Sequence, residues 1–169
     1  MRHVVIDGYN VLRSASRYSR IARDDLDVAR TRLVTDAAVL ADEGTRVTVV
    51  FDAGANPASS GAAHHVAGVV VVFSRHGMSA DDVVERLAAR ARTRGDEVVV
   101  VTSDAATQRT VIGGPVTVMP VREFEREVVS ALDGMRERSF SGGTSVRLEE
   151  RVSEEVRRAL DRWVGRSAE

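Results

Sequence analysis

Short runs of β-branched and other apolar residues recur along the chain and predict five strands. These runs lack the polar alternation of a half-exposed strand and are typical of parallel strands buried on both faces. Between them, apolar residues recur at helical spacing, from Leu26 to Leu40 and from Val84 to Ala91. Strand and helix in alternation predict an α/β fold around a central parallel sheet. The predicted strands cover residues 3–6, 46–51, 69–73, 97–102 and 116–119.

The rest of the chain adds connecting segments and further helices. Residues 53–68 are rich in Ala, Ser, Gly and His and predict a mobile loop beside the sheet edge. Shorter helices are predicted over residues 104–112 and after Pro120, where apolar residues again share a face. A Ser/Gly linker is expected at residues 139–145. It would join a domain of residues 1–138 to a C-terminal amphipathic helix within residues 146–169 that packs on this domain.

The composition fits a single globular domain in the cytoplasm. Its 169 residues are 43% hydrophobic and 29% charged, as expected for one domain. No apolar run approaches the roughly 20 residues of a membrane span, and the charged Asp7 comes too early for a signal peptide. We therefore expect a cytoplasmic protein without a membrane partner.

Missing residue types and motifs exclude several functions. The absence of cysteine excludes disulfides, thiolate zinc sites and cysteine nucleophiles. All 24 basic side chains are arginine, so lysine-dependent sites such as a P-loop are also excluded. No G-x-G-x-x-G motif follows the first strand and no G-x-S-x-G motif occurs, so we expect neither a small-molecule cofactor nor a serine nucleophile elbow. The net charge is −1, and any nucleic-acid contact must therefore be a local basic patch.

Four aspartates are predicted to meet at one edge of the sheet. Asp7, Asp52 and Asp104 each follow a predicted strand, and Asp81 opens the helix after the third strand. The carboxyl ends of parallel strands share one edge, where open α/β sheets bind their ligands. Converging carboxylates repel one another unless a cation compensates them, and oxygen ligands favour Mg²⁺ or Mn²⁺. One such ion, or more effectively a pair, would support hydrolysis of a phosphodiester.

The same residues also allow purely structural interpretations. An Asp after a strand often caps the next helix, and Asp81 and Asp82 together fit the first turn of a helix. In the motif D-G-Y-N, Gly8 permits a close backbone approach, Tyr9 offers an aromatic face, and Asn10 brings an amide back toward the end of the strand. Asn10 would orient a metal-bound water or a phosphate oxygen, or it would instead bond to its own turn.

Basic side chains recur at helical spacing in the segment that follows. They are Arg13, Arg17, Arg20 and Arg23. This spacing would place them on one helical face, next to Tyr9 and Tyr18. Guanidinium groups bind phosphates and aromatic rings stack on unpaired bases. The candidate RNA contacts are therefore Tyr9, Arg13, Arg17 and Arg20, and a solvated surface segment is the alternative.

Four motifs follow one another along the chain. They are VVIDGYNVL at residues 4–12, VVFDA at residues 49–53, SADDVVERL at residues 79–87 and VTSDAATQ at residues 101–108. In this order they resemble the NYN-domain, PIN-like nucleases, and more narrowly the YacP-like branch, which includes a ribosome-associated endoribonuclease of bacteria. The resemblance runs nearly end to end, because the stretch SEEVRRALDRW is similar to the closing helix of that branch.

The resemblance implies a fold and a set of functional residues. The fold would be a Rossmann-like, three-layer domain with sheet order 3-2-1-4-5, and the activity a metal-dependent ribonuclease. The implied catalytic residues are Asp7, Asn10, Asp52, Asp81 and Asp104. Asp7, Asp81 and Asp104 would bind the metal, while Asp82 and Ser103 match supporting polar groups.

Two functions therefore remain open. The first is a metal-dependent endoribonuclease that uses Mg²⁺ or Mn²⁺ to cleave RNA, expected to be mRNA in association with the ribosome. The alternative is a noncatalytic RNA- or ribosome-binding module with a degenerate site. Two departures from the branch indicate this alternative: Met78 stands where a Glu is common, and residues 53–68 are less basic than is usual there.

Overall fold

The computed structural model describes residues 1–53, 59–105, 108, 116–140 and 145–163. These residues form six strands and six helices. The strands are β1 (Arg2–Asp7), β2 (Thr45–Phe51), β3 (Ala63–Val66), β4 (Val69–Phe73), β5 (Glu97–Val101) and β6 (Val116–Met119). The helices are α1 (Gly8–Ser14), α2 (Ser16–Asp24), α3 (Leu26–Ala38), α4 (Ala80–Thr93), α5 (Val121–Phe140) and α6 (Ser145–Trp163).

The strands form one sheet in the order β3-β4-β2-β1-β5-β6. All neighbouring pairs are parallel except β3 with β4. The five predicted strands correspond to β1, β2, β4, β5 and β6, so their order is 3-2-1-4-5, and this prediction is confirmed. Ile6 of β1 pairs with Val49 and Val101, and Phe51 of β2 pairs with Phe73. The carboxyl ends of the parallel strands therefore lie along one edge.

The edge strand β3 corrects the prediction of a loop throughout residues 53–68. Residues 63–66 pair antiparallel with β4 through a two-residue turn at Ala67 and Gly68, whose φ angles are +50° and +79°. Two positive φ angles are typical of the tight hairpin turns that match strand twist, and Gly68 adopts one without strain. This segment carries no strand signal in its sequence, because β3 is short and only Val66 of its four residues is buried. Residues 54–58 lie outside the described part.

Helices cover both faces of the sheet and create two apolar cores. The larger core joins one face of the sheet to α1, α2, α3, α5 and α6. The smaller core joins the other face to α4, through the packing of Val5, Val50, Val98 and Val100 against residues such as Val84. Alternate residues of β1 therefore serve different cores: Val4 and Ile6 face the larger core, whereas Val5 faces α4. This is the three-layer arrangement expected of the α/β fold.

Helix α6 returns to the sheet and packs against α3. Val156, Ala159 and Leu160 are buried in the larger core, and the Trp163 ring stacks on His64 of β3 with ring centroids 4.3 Å apart. Helix α5 continues to Phe140, so the first two residues of the predicted linker are helical, and residues 141–144 lie outside the described part. In the portion of the chain that is described, no helix combines the length and the apolar character needed to cross a membrane.

Candidate active site

Asp7 lies at the centre of the carboxyl edge, where β1 passes directly into α1. It is the last residue of the strand and the N-cap of the helix, and its Oδ1 accepts a hydrogen bond of 3.2 Å from the backbone N–H of Asn10. The residue is only 7% exposed. The sequence allowed Asp7 to be a helix cap or a ligand-binding residue. These two roles are compatible, because one carboxylate oxygen caps α1 at the edge where open α/β sheets bind their ligands.

Two of the other predicted acids contribute to the electrostatic surroundings of Asp7. The pKa of Asp7 is raised from 3.8 to about 6, first by burial and then by the charges of Asp81 and Asp104, against the lowering effects of the Asn10 N–H and of Arg13. Like charges raise the pKa of a carboxyl only when they lie nearby. Asp81 in the first turn of α4 and Asp104 after β5 are thus both close to Asp7.

Gly8 and Phe51 determine how closely α1 begins against the sheet. A Cβ atom at Gly8 would lie 2.4 Å from Cε1 of Phe51 and 2.8 Å from the carbonyl oxygen of Val50. Position 8 therefore requires glycine. The Phe51 ring also contacts Tyr9 and Phe73, with ring centroids 5.3 Å and 5.5 Å apart. The motif D-G-Y-N is thus anchored to β2 by an aromatic cluster directly beside Asp7.

Asn10 joins the ends of two neighbouring strands. Its Oδ1 accepts a 2.7 Å hydrogen bond from the backbone N–H of Ser103, which follows β5. The next residue, Asp104, donates its backbone N–H to Thr102 Oγ1 at 3.1 Å, and the N–H of Gln108 donates to the Asp104 carbonyl at 2.9 Å. These bonds show that Asn10 fixes the segment that presents Asp104. The helix predicted over residues 104–112 otherwise falls largely outside the described residues.

Asp52 and Asp82 both hold the amino end of α4. Asp52 Oδ2 accepts from the backbone N–H of Ala80 at 3.3 Å. Asp82 forms a capping box with Ser79, and these hydrogen bonds lower the pKa of the Asp82 carboxyl. Asp81 lies in the same first turn of α4, between the capped residues Ala80 and Asp82, and it is exposed. The supporting role implied for Asp82 thus has a concrete geometry.

The donor set at this edge suits a hard cation. Carboxylate oxygens are the ligands that Mg²⁺ and Mn²⁺ prefer, and a buried carboxyl with a raised pKa gains stability when a cation compensates its charge. Among the described residues, no three His, Asp or Glu side chains form a metal-binding group. The residues therefore fit a divalent ion chemically, although their described positions do not form a closed three-ligand cage.

The predicted arginine stripe is not a single helical face. The chain leaves helical geometry at Ala15, whose φ and ψ are −81° and 129°, so Arg13 belongs to α1 and Arg17 and Arg20 to α2. Ser16 Oγ and the Arg17 N–H both donate to the Glu125 carboxylate of α5, which caps α2 from a distant part of the chain. The one-face prediction is wrong for Arg13, because the extended Ala15 separates it from α2, which carries Arg17, Arg20 and Arg23.

After the break at Ala15, Arg17 and Tyr18 both contact Asp36 of α3. Arg17 donates to Asp36 from Nε at 2.6 Å and from Nη2 at 3.3 Å, and the Tyr18 hydroxyl donates to the same carboxylate at 3.1 Å. Tyr18 is fully buried, so it offers no face to a base. Arg32 completes the cluster with an N–O distance of 3.1 Å to Asp36. Arg13 and Arg20 remain exposed.

Arg30 is a residue near the site that the sequence did not single out. It is 9% exposed and donates from Nε to the Tyr9 hydroxyl at 3.0 Å, while its Nη1 pairs with Asp27. Its guanidinium carbon also lies 5.2 Å from the centroid of the Tyr9 ring. Arg30 therefore fixes the orientation of the Tyr9 side chain. Arg30 and Tyr9 are 21 residues apart in the sequence, and no local motif therefore indicates this role.

A mostly parallel sheet of this order, with helices on both sides and acidic side chains at its carboxyl edge, defines a PIN-like α/β domain. The family model of the YacP-like NYN domain matches residues 4–165, and the chain belongs to this nuclease-related family. The resemblance inferred from the sequence motifs is thereby confirmed.

Known relatives agree over nearly the full length. A curated Bacillus subtilis protein, YacP, described as uncharacterised, is 27% identical over 172 aligned positions that cover 95% of each chain. The crystal structure of Rae1 (YacP) from Bacillus subtilis has a TM-score of 0.68 at 27% identity and covers 96% of this chain and 94% of its own. A tryptophan-to-leucine mutant of Rae1 has a TM-score of 0.69 at 24% identity, with 96% and 99% coverage.

Proposed function

We propose that the protein is a metal-dependent endoribonuclease that cleaves mRNA in the cytoplasm, in association with the ribosome. The observation that carries the proposal is the convergence of Asp81 and Asp104 on the buried Asp7 in a member of a nuclease-related family. Such a concentration of negative charge is unfavourable unless a cation compensates it. Arg13, which is exposed and lowers the pKa of Asp7, is placed to attract the phosphate backbone to the same point.

Asp7, Asp81 and Asp104 would hold Mg²⁺ or Mn²⁺. When bound, such an ion activates the attacking water and stabilises the leaving oxygen of the phosphodiester. The protein itself supplies the positions of these carboxylates. Asp7 is fixed by the Asn10 N–H, Asp104 lies on the segment that Asn10 ties to β1 through Ser103, and Asp81 lies between the two caps of α4.

The remaining site residues orient the substrate and the reacting groups. Asn10 uses Oδ1 to bind Ser103, which leaves its Nδ2 as the amide atom that can donate to a water or a phosphate oxygen. Asp52 assists by holding the amino end of α4 rather than by meeting the substrate. Tyr9 and Arg13 are the proposed RNA contacts nearest the acids, and Arg20 lies further along α2.

Cleavage of cellular mRNA tests this proposal. The protein is incubated with mRNA, with and without translating ribosomes, in Mg²⁺ or Mn²⁺ or in EDTA. We expect discrete cuts by the wild type that disappear in EDTA and in Asp7→Asn and Asp81→Asn, because each change removes a proposed metal ligand. A matched control is Asp133→Asn, an exposed aspartate on α5. Cuts that persist equally in Asp7→Asn and Asp81→Asn would contradict the proposal.

The second candidate is a noncatalytic RNA- or ribosome-binding module. One observation favours it: the carboxylates of Asp52 and Asp82 already serve as helix caps, and the described residues form no closed metal-binding group. This candidate predicts that wild type, Asp7→Asn and Asp81→Asn bind ribosomes equally and that none of them cuts RNA. The same experiment therefore separates the two functions.

A further inference from the structure

A groove opens beside the acidic site, between α1, α2 and the start of α3. Its volume is about 550 Å³, within the roughly 300–1,000 Å³ of small-ligand pockets. Its apolar lining comes from Leu12, Ala22 and Leu26, and Leu26 is 39% exposed. A half-exposed leucine in a concave apolar surface is typical of a site that receives an apolar or aromatic group.

The charged side chains at the groove are Arg13 and Arg23, one from each of two helices. Both lie on the exposed surface. Among the described residues that line the groove, none is acidic, although the whole chain has 25 acidic and 24 basic side chains. An apolar groove flanked by two guanidinium groups is complementary to a base whose neighbouring phosphates are anionic.

Tyr9 connects this groove to the acidic site. Tyr9 lines the groove, its hydroxyl accepts a hydrogen bond from Arg30, and its ring packs on the Phe51 ring. Because these contacts fix the ring before any ligand arrives, little side-chain entropy is lost on binding. Tyr9 is also only two residues from Asp7. A nucleotide in the groove would therefore be adjacent to the phosphate at the acids.

We propose that the groove binds one unpaired nucleotide of the RNA next to the cleaved bond, with its base against Tyr9 and the flanking phosphates on Arg13 and Arg23. Arg30 is then a positioning residue, which acts through Tyr9. The inference rests on the proposed function for the identity of the ligand as RNA. It adds Arg23 to the contact set in place of Arg17, whose guanidinium is bound to Asp36, and it requires a single-stranded substrate at this position.

Binding of a short fluorescent single-stranded RNA of mixed sequence, measured by anisotropy in EDTA, tests the groove independently of cleavage. We expect Arg23→Glu and Tyr9→Leu each to weaken binding about tenfold, through loss of a phosphate contact and of a stacking ring. Arg23→Ala should lower the slope of log K against log salt by about 0.7, the value for one phosphate on a single strand. Ala22→Met, which fills the groove, should weaken binding without changing the net charge.

The matched control is Arg90→Glu, the same charge reversal at an exposed arginine in the last turn of α4, at the opposite edge of the sheet. It should bind nearly as the wild type does. Equal losses in Arg23→Glu and Arg90→Glu would overturn the inference, as would unimpaired binding by folded Ala22→Met or equal affinity for a duplex of the same sequence.

One further variant separates this inference from the proposed function. Asp7→Asn should bind the single strand at least as well as the wild type while no longer cleaving RNA, because the groove is intact and one negative charge is gone. Wild-type levels of cleavage by Asp7→Asn would refute the nuclease proposal and leave the binding result standing. Metal-dependent cleavage that is unaffected in all groove variants would refute the groove alone.

The role of Arg30 is tested by two substitutions. If the contact with the Tyr9 hydroxyl positions Tyr9, Arg30→Gln should weaken RNA binding, whereas Arg30→Lys should bind RNA as the wild type does.

Discussion

Two buried aspartates of this protein have opposite surroundings. Asp36, 1% exposed, lies between α2 and α3 and is met by Arg17, Arg32 and the Tyr18 hydroxyl. Asp7, 7% exposed, lies at the carboxyl edge, where a backbone N–H and Arg13 are opposed by two further carboxylates. The first charge is compensated by the protein itself. The second is compensated only in part.

The difference separates a carboxylate that the protein compensates from one that is proposed to bind a ligand. A buried charge with hydrogen-bonded partners holds elements together, and here it fixes α2 against α3. A buried charge among like charges costs stability unless something outside the chain binds it. The positive charge that Asp7 lacks is what a divalent ion would supply. The acids themselves thus point to the ligand more directly than any single motif does.

Removal of the Asp36 charge should have the largest effect on stability. Asp36→Asn is expected to lower the free energy of unfolding by about 3–4 kcal/mol, toward the low end for a broken buried pair because both arginines are partly exposed. Urea unfolding measures this change. The control Asp133→Asn breaks an exposed pair with Arg136 and should cost less than about 1 kcal/mol. Equal losses in the two variants would abolish the distinction drawn for Asp36.

Removal of the Asp7 charge should have the opposite sign. In metal-free protein above pH 6, Asp7→Asn is expected to raise the free energy of unfolding by about 2–3 kcal/mol, because each pKa unit is worth about 1.36 kcal/mol and Asn retains the N-cap. The folded-state pKa of about 6 exceeds the ordinary value of 3.8. The contribution of Asp7 to the stability of the wild type is therefore most favourable below pH 4, and this contribution is lost as the pH rises through 6.

The pH dependence of that gain checks its cause. Unfolding of wild type and Asp7→Asn in EDTA should converge as the pH falls from 6 toward 4, because the wild-type carboxyl becomes neutral. A stabilisation of Asp7→Asn that is the same at pH 4 and pH 7 would show that packing, and not charge, is responsible.

A divalent metal ion should compensate the charge of Asp7, as the arginines compensate that of Asp36, and so stabilise the wild type. At a metal concentration ten times its Kd, the wild type should gain about 1.4 kcal/mol, whereas Asp7→Asn should gain much less. Thermal unfolding in a Mg²⁺ or Mn²⁺ series, with Ca²⁺ for comparison, provides the measurement. Stabilisation of both proteins by the same amount would place the ion elsewhere on the molecule.

The smallest effect is expected at the partner of Asp36. Arg17→Lys keeps the charge but loses the two-point contact through Nε and Nη2, which should cost about 1 kcal/mol. Arg20→Lys on the same helix, exposed and outside this cluster, is the matched control and should be nearly neutral. A loss in Arg17→Lys as large as that in Asp36→Asn would mean that contact geometry matters more than charge in this cluster.

Much of the fold could be predicted because its signals are local. The runs that form β1, β2, β4, β5 and β6 are continuous and apolar, since the sheet is covered on both faces, and each retains its predicted place. Because parallel strands align their carboxyl ends, the edge shared by Asp7, Asp52 and Asp104 also follows from the predicted parallel direction of the strands. Strand β3, short and at the sheet edge, has no such run and could not be found in this way.

The roles of the polar side chains could not be predicted as well. Arginine spacing suggested one helical face, but the extended Ala15 separates Arg13 from α2, and Glu125, more than a hundred residues away, caps α2. Arg17 then reaches Asp36 instead of the surface. Arg30 and the groove that it helps to organise have no local signature either, because each depends on side chains from separate helices.

The sequence by itself determined the α/β class and the set of acids at one edge, because hydrophobic periodicity and strand polarity are properties of neighbouring residues, while the strand order came from the resemblance of its motifs to a known family. Only the tertiary structure decided which charges are compensated. Asn10 meets Ser103 across 93 positions and Ser16 meets Glu125 across 109. Coulombic energy and desolvation depend on distance and burial in space, and these are fixed only when the helices have packed on the sheet.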